Sequence, residues 1–207
     1  MAKSNVLKFP RRKKAQELAS KSKIATKKNK KELYDTVLKA LLNALKCKDD
    51  YTYGHSLRVA YFAQALGREM KLSEGEIYEL ELSALFHDVG KIGVPDQVLL
   101  KPTRLTESEF LEMKLHPNKS AEILEGIPSL DQVAKNAKHH HERFDGRGYP
   151  AGMKGEEIPL FSRIILIADT FDAMTSSRPY RKGLSYDIAF AELKEFSGTQ
   201  FDPQLVE

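Results

Sequence analysis

Two stretches decide how this chain is read: LFHDVGKIGVPD (85–96) and KHHHERFDGRGYP (138–150). The whole sequence of 207 residues holds six histidines, yet three stand in a row at 139–141 and another, His87, is followed at once by Asp88. Each stretch runs into Gly- and Pro-rich punctuation that closes off regular structure. Three explanations compete. The histidines are chance, or polar groups satisfied inside a core, or ligands converging on metal.

Working outward, the flanking sequence has a helical period. Leu33, Val37, Leu38, Leu41, Leu42 and Leu45 form one apolar stripe, predicting a helix of about sixteen residues. Val59, Phe62, Ala63 and Leu66 repeat the spacing. Ser73 with Glu76, and Thr106 with Glu109, are capping boxes that open two further helices. Another apolar segment, LFSRIILIADTFDAM, follows Pro159, and a last helix is expected over Ser185–Phe196. No stretch alternates with period two, and no repeat is evident. The prediction is all-α, one compact helical domain.

Composition narrows the class. Hydrophobic residues at 41% and charged residues at 30% are an ordinary globular balance. The single cysteine, Cys47, excludes an intrachain disulfide and suits a reducing cytoplasm, the expected location. No apolar run approaches the roughly 20 residues of a membrane helix. The net charge of +4 is uneven: residues 1–31 hold twelve Lys or Arg and one acid, leaving −7 for residues 32–207. The expected organisation is therefore a basic N-terminal tail, 1–31, and a folded domain, 32–207. Such a tail can dock on nucleic acid or anionic lipid. Only Phe9 is interleaved with its charges, however, which favours a solvated leader making at most non-specific contacts.

On this map His55 is expected to begin a helix, His87 to end one, His116 to close a third, and His140 and His141 to close a fourth. His139 is left aside, because three adjacent helical side chains cannot point one way. Asp169 lies in the most apolar stretch of the chain, where an ionised carboxylate is costly unless paired or bound to a cation. Imidazole and carboxylate suit Fe, Mn, Zn or Ni. Five histidines and two aspartates exceed one tetrahedral ion and suit two octahedral ions sharing a bridging carboxylate. Two dications against two carboxylates leave about +2, attractive to phosphate. Asp172, three residues beyond Asp169, is either a partner of a ligand or a surface acid.

These blocks, YTYGHSLRV, ALFHDVGKIGVPD, KLHPNKSAEIL, KHHHERFDGRGYPAGMKGEEIPL, RIILIADTFDAM, SSRPYR and QFDP, together resemble the HD-GYP family of metal-dependent HD phosphohydrolases. The resemblance implies a compact helical bundle of the HD-domain type, and hydrolysis of cyclic di-GMP to pGpG or GMP. It implies that His55, His87, Asp88 and Asp169 bind one divalent metal, Fe or Mn, and that His116, His140 and His141 bind a second. Asp88 would bridge the two, with a hydroxide between them attacking phosphorus. Asp88 and Lys91 are the expected catalytic residues. Lys91, Asp172, Arg178 and Arg181 are expected to contact substrate. The DGRGYP loop either contacts cyclase (GGDEF) domains or simply secures the chain after the two histidines.

The chain departs from the family pattern at three places. Tyr51 stands where some members have a Glu that helps hold a third metal, so two metals are expected. Ser120 replaces a usual Gly and is expected to narrow the packing beside the site; Phe144 replaces a usual Trp. The rival readings are a hydrolase of another phosphoester and a non-catalytic receptor or scaffold for a cyclase domain. Neutral imidazole ligands further predict that metal is lost below about pH 6.

Overall fold

Ser73 accepts from the backbone N–H of Glu76, whose carboxylate returns to the Ser73 N–H, and helix α3 (Glu74–Phe86) starts there as the sequence indicates. Thr106 and Glu109 make the same reciprocal pair at α5 (Glu107–Met113). The structure is a computed structural model that describes residues 35–177 and 182–207. The chain divides into two units, 1–41 and 42–207; the described residues of the first, 35–41, are helical. The second unit carries every residue of the site discussed below.

That unit opens with helical residues 42–48, here α1. Next is α2 (Asp50–Glu69), begun by Asp49, whose side chain accepts from the Tyr51 N–H. After α3 come a 3₁₀ turn (Val89–Gly93) and the short α4 (Asp96–Leu99). Helices α5, α6 (His116–Glu125) and α7 (Asp131–Lys138) follow. The chain finishes with α8 (Leu160–Thr175), α9 (Tyr186–Glu195) and α10 (Pro203–Val206). Among the described residues there is no strand, only one isolated bridge between Ser197 and Phe201. The all-α expectation holds. The proposed tail and its boundary at residue 31 lie outside the described residues.

Helix α8 is central. Ile164, Ile165, Leu166, Ile167 and Ala168 are all buried, which is the mark of a helix covered on every side. It packs on α2 and α9, and α2 packs on α3 in turn. Val59, Ala63, Leu80, Ala84, Ile164 and Ile165 meet in one core with at most traces of exposure. Each large aliphatic side chain there stabilises the fold by roughly 1.5–3 kcal/mol. A second contact joins α6 to α7 and to the 3₁₀ turn.

Two helix ends differ from expectation. His55 lies inside α2 rather than at its start, because Asp49 caps the helix six residues earlier. His116 opens α6 rather than closing α5. Pro117 sits in the first turn of α6, where its missing N–H costs nothing, and the chain restarts there. A Cβ on Gly90 would lie 2.1 Å from His116 O and 2.4 Å from Ser120 N, so only glycine lets the turn after Asp88 rest against α6.

Candidate metal centre

A helix ends with carbonyls that have no partner of their own, and this protein hangs histidines on them. His87 follows α3 and its Nδ1 lies 2.6 Å from Ala84 O. His140 follows α7 with Nδ1 2.6 Å from Ala137 O, and His116 follows α5 with Nδ1 2.7 Å from Met113 O. A carbonyl only accepts, so Nδ1 carries the hydrogen in all three rings and Nε2 is left with a lone pair. The local helix end thus sets both the tautomer and the direction of each ring.

Those lone pairs converge on Asp88, which is 1% exposed. Asp88 Oδ1 lies 3.1 Å from His116 Nε2 and 3.9 Å from His140 Nε2. Asp88 Oδ2 lies 3.3 Å from His87 Nε2 and 4.0 Å from His55 Nε2. One carboxylate therefore turns an oxygen to each of two histidine groups. His55, His87 and Asp169 form one cluster and His116, His140 and His141 another, the ligand atoms of each within 4.8 Å of one another. His87, Asp88 and His140 form a third that joins them.

His55 is held differently. Its Nδ1 lies 2.6 Å from Asp172 Oδ2 and its Nε2 3.0 Å from Asp169 Oδ1. Burial works against its positive form, but the two carboxylates outweigh this and raise its pKa to about 9. Asp172 also accepts from Arg58 Nε at 2.6 Å and from Ser176 Oγ at 2.9 Å. Despite its burial, these donors hold it at about 2.

Asp172 was expected to contact substrate. At 1% exposure, with both oxygens engaged by protein donors, it instead faces His55 from behind. Lys91 stands at the cluster itself: its Nζ is 2.6 Å from Asp88 Oδ2 and its side chain is 20% exposed. Burial disfavours the Lys91 charge, yet Asp88 overcomes this and raises its pKa. Asp88 is likewise kept ionised against burial, first of all by the charge of Lys91 beside it.

His141 is secured by the loop that follows it. Tyr149 N donates to His141 O at 3.2 Å, and the two rings pack with centroids 4.9 Å apart. Gly148 makes this return possible, since a Cβ there would sit 2.3 Å from Arg143 N and 2.5 Å from Glu142 Cα. Glu142, 1% exposed, accepts from Ala151 N at 2.6 Å and Met153 N at 3.1 Å. Desolvation and neighbouring histidines push His140 well below the usual imidazole range and His141 down to about 3, so both are neutral. Ser120 does not merely crowd the helix pair: its Oγ accepts from Gly90 N and donates to His87 O, each at 2.8 Å.

The donor set fits divalent metal. His87 Nε2 and Asp88 Oδ1 are buried without a hydrogen-bond partner, and a cation satisfies both. His116 Nε2 and His140 Nε2 face each other at 3.4 Å with lone pairs that repel unless a positive charge lies between them. The cluster opens into a cavity of about 380 Å³ lined in part by Tyr51, Lys91, Leu99, Met113 and Tyr149. Tyr51 stacks on His55, with centroids 6.4 Å apart and planes 4° apart.

All seven expected ligand positions are brought together. Arg178 and Arg181 lie outside the described residues. Sequence reasoning missed Arg58, Glu142 and the Tyr149 ring. Only Arg58 carried a signal, lying three residues after His55 on the same helix face.

Comparison with known proteins gives the chain its relatives. A family described as "HD domain" matches residues 39–205. The cyclic di-GMP phosphodiesterase response regulator RpfG of Xanthomonas campestris is 42% identical over 172 residues, 82% of this chain and 46% of the relative. A cyclic di-GMP phosphodiesterase of Thermotoga maritima is 41% identical over 180 residues, 84% of this chain and 49% of that protein. The chain thus spans about half the length of these curated relatives. A crystal structure of a Vibrio cholerae cyclic GMP-AMP specific phosphodiesterase superposes with a TM-score of 0.61 at 24% identity. That match covers 82% of this chain and 46% of the other, and it supports the fold. No helix among the described residues is long and apolar enough to cross a membrane.

Proposed function

The chain belongs to the HD-domain family, and on that premise we propose that it is a metal-dependent phosphodiesterase that hydrolyses cyclic di-GMP to pGpG or GMP. The observation that carries this reading is Asp88, which turns Oδ1 toward His116 and Oδ2 toward His87. A carboxylate so placed suits two cations rather than one. His55, His87 and Asp169 would hold the first, His116, His140 and His141 the second, and Asp88 both. Tyr51 in place of a carboxylate supports two metals, not three, and the N/O donor set suits Fe or Mn.

Bound divalent cations supply Lewis acidity to phosphoryl oxygens and make water acidic near neutral pH. The protein's own contribution is orientation and charge. The carbonyls of Ala84, Met113 and Ala137 hold three Nε2 atoms toward Asp88, and Lys91 adds a positive charge where an anionic phosphodiester must approach. Arg178 and Arg181 are proposed to grip the substrate phosphates, for which the guanidinium fork is suited. The buried anchoring of Glu142 favours a structural role for the DGRGYP loop, with its outer surface the candidate contact for a cyclase domain. The organisation proposed is a basic tail, 1–31, preceding an HD-GYP-like domain, 32–207, in a cytoplasmic protein.

The test is turnover of cyclic di-GMP by Mn²⁺- or Fe²⁺-loaded protein, with 3′3′-cyclic GMP-AMP alongside and Asp88→Ala as control. Release of pGpG or GMP by the wild type but not by the variant is expected. If both bind cyclic di-GMP and are equally inert, the protein is a receptor; if only the other dinucleotide is cut, the substrate assignment fails.

A further inference from the structure

We propose that the two metal positions are unequal, and that Asp172, acting through His55, makes the position formed by His55, His87 and Asp169 the tighter one. This rests on the two-metal reading above. Four of the five ligand histidines have a defined acceptor behind Nδ1. For His87, His116 and His140 that acceptor is a neutral backbone carbonyl. For His55 it is a carboxylate, Asp172 Oδ2, at 2.6 Å. A carboxylate pulls harder on the Nδ1 hydrogen, and the electron density it returns makes Nε2 the stronger donor.

The surroundings reinforce the difference. Asp172 is 1% exposed, so water does not screen its charge from the ring in front of it. Arg58 and Ser176 fix the orientation of its carboxylate with hydrogen bonds of 2.6 and 2.9 Å. The same position includes Asp169, 3.0 Å from His55 Nε2. The other position offers three imidazoles and a share of Asp88, with no carboxylate of its own. Its His141 ring packs against Tyr149, whose face also meets Lys114 Nζ at 5.0 Å, which adds a nearby positive charge. Positive charge also stands on the His55 side, with Lys91 Nζ 2.6 Å from Asp88 Oδ2 and Arg58 on Asp172. The difference therefore lies in the donors: a carboxylate-backed imidazole and the Asp169 carboxylate hold a dication more firmly than three imidazoles. Asp172 is a positioning residue: it acts on the metal only through His55.

Calorimetric titration of Mn²⁺ into chelator-stripped full-length protein, followed in parallel by electron paramagnetic resonance, tests this. The wild type should bind two ions in steps at least about tenfold apart. Asp172→Asn keeps the shape and loses the charge, and should weaken the first step about 10–100-fold while leaving the second within about threefold. Two equal wild-type steps overturn the proposal, as does a variant in which both steps fall together or neither moves. Should Asp172→Asn not fold, His55→Ala and His116→Ala decide: the first should lose the tight step and the second the weak one, and the reverse pattern refutes the assignment. Cyclic di-GMP turnover at saturating Mn²⁺ is read separately. Two unequal steps without turnover would sink the catalytic reading alone.

Discussion

Deleting one hydroxyl, at Ser120, should loosen the joint on which the site is built. Ser120 is fully buried in α6; its Oγ accepts from Gly90 N and donates to His87 O, both at 2.8 Å. Ser120→Ala leaves that N–H and that carbonyl without partners. Each buried orphan costs about 1–3 kcal/mol. Water cannot readily replace the hydroxyl, because the Gly90 backbone already rests on α6, where even a Cβ would lie 2.1 Å from His116 O. A loss of about 2–4 kcal/mol follows, some relaxation of the turn being allowed for. Urea unfolding of chelator-treated protein measures it as a lower midpoint at unchanged slope. The joint also sets the 3.1 Å approach of His116 Nε2 to Asp88 Oδ1, so the Mn²⁺ needed for full loading should rise as well. A stability change under about 0.5 kcal/mol would refute the claim that this hydroxyl ties the His87–Gly90 turn to α6.

Stability of the chelator-treated protein should peak near pH 6.5. The folded pKa of His55, about 9, exceeds 6.5, so the stability from its proton is complete below pH 6.5 and is lost as pH rises through 9, up to about 3 kcal/mol. His140 and His141 are shifted the other way; below pH 6.5 the unfolded chain takes up protons that the folded one refuses, and stability falls again. Thermal unfolding from pH 5 to 10 checks this, and a monotonic rise across the range is incompatible with it. His55 also refines the expectation of metal loss below pH 6: loading its position at pH 7 should release about one proton, visible as buffer-dependent heat. Glu142→Gln, which weakens two buried backbone bonds at 2.6 and 3.1 Å, should cost about 1.5–3 kcal/mol and speed hydrogen exchange at Ala151 and Met153. Unchanged exchange there would mean the loop does not depend on that carboxylate.

The capping boxes at Ser73 and Thr106 were legible because each is local, made by residues three apart with one way to satisfy free N–H groups. The metal-ligand candidates were legible for another reason: one His-Asp doublet says little alone, but five of the six histidines fall in recognisable blocks in one order. The start of α6 was legible too, in Pro117, had its missing donor been weighed against the capping signal upstream.

What one-dimensional pattern left open was the direction of side chains that meet across helices. Asp172 and Arg58 are separated by 114 residues, and only the packing of α2 on α8 turns Asp172 onto His55 rather than toward a ligand. The split of Asp88 between two histidine groups likewise depends on α6 and α7 converging on the turn after α3. Residue types and spacing determined which groups were available to bind a cation and that they would ride on helices. Tertiary packing alone decided which stand at the metal and which behind it, because that choice turns on distances of an ångström or two between elements remote in the chain.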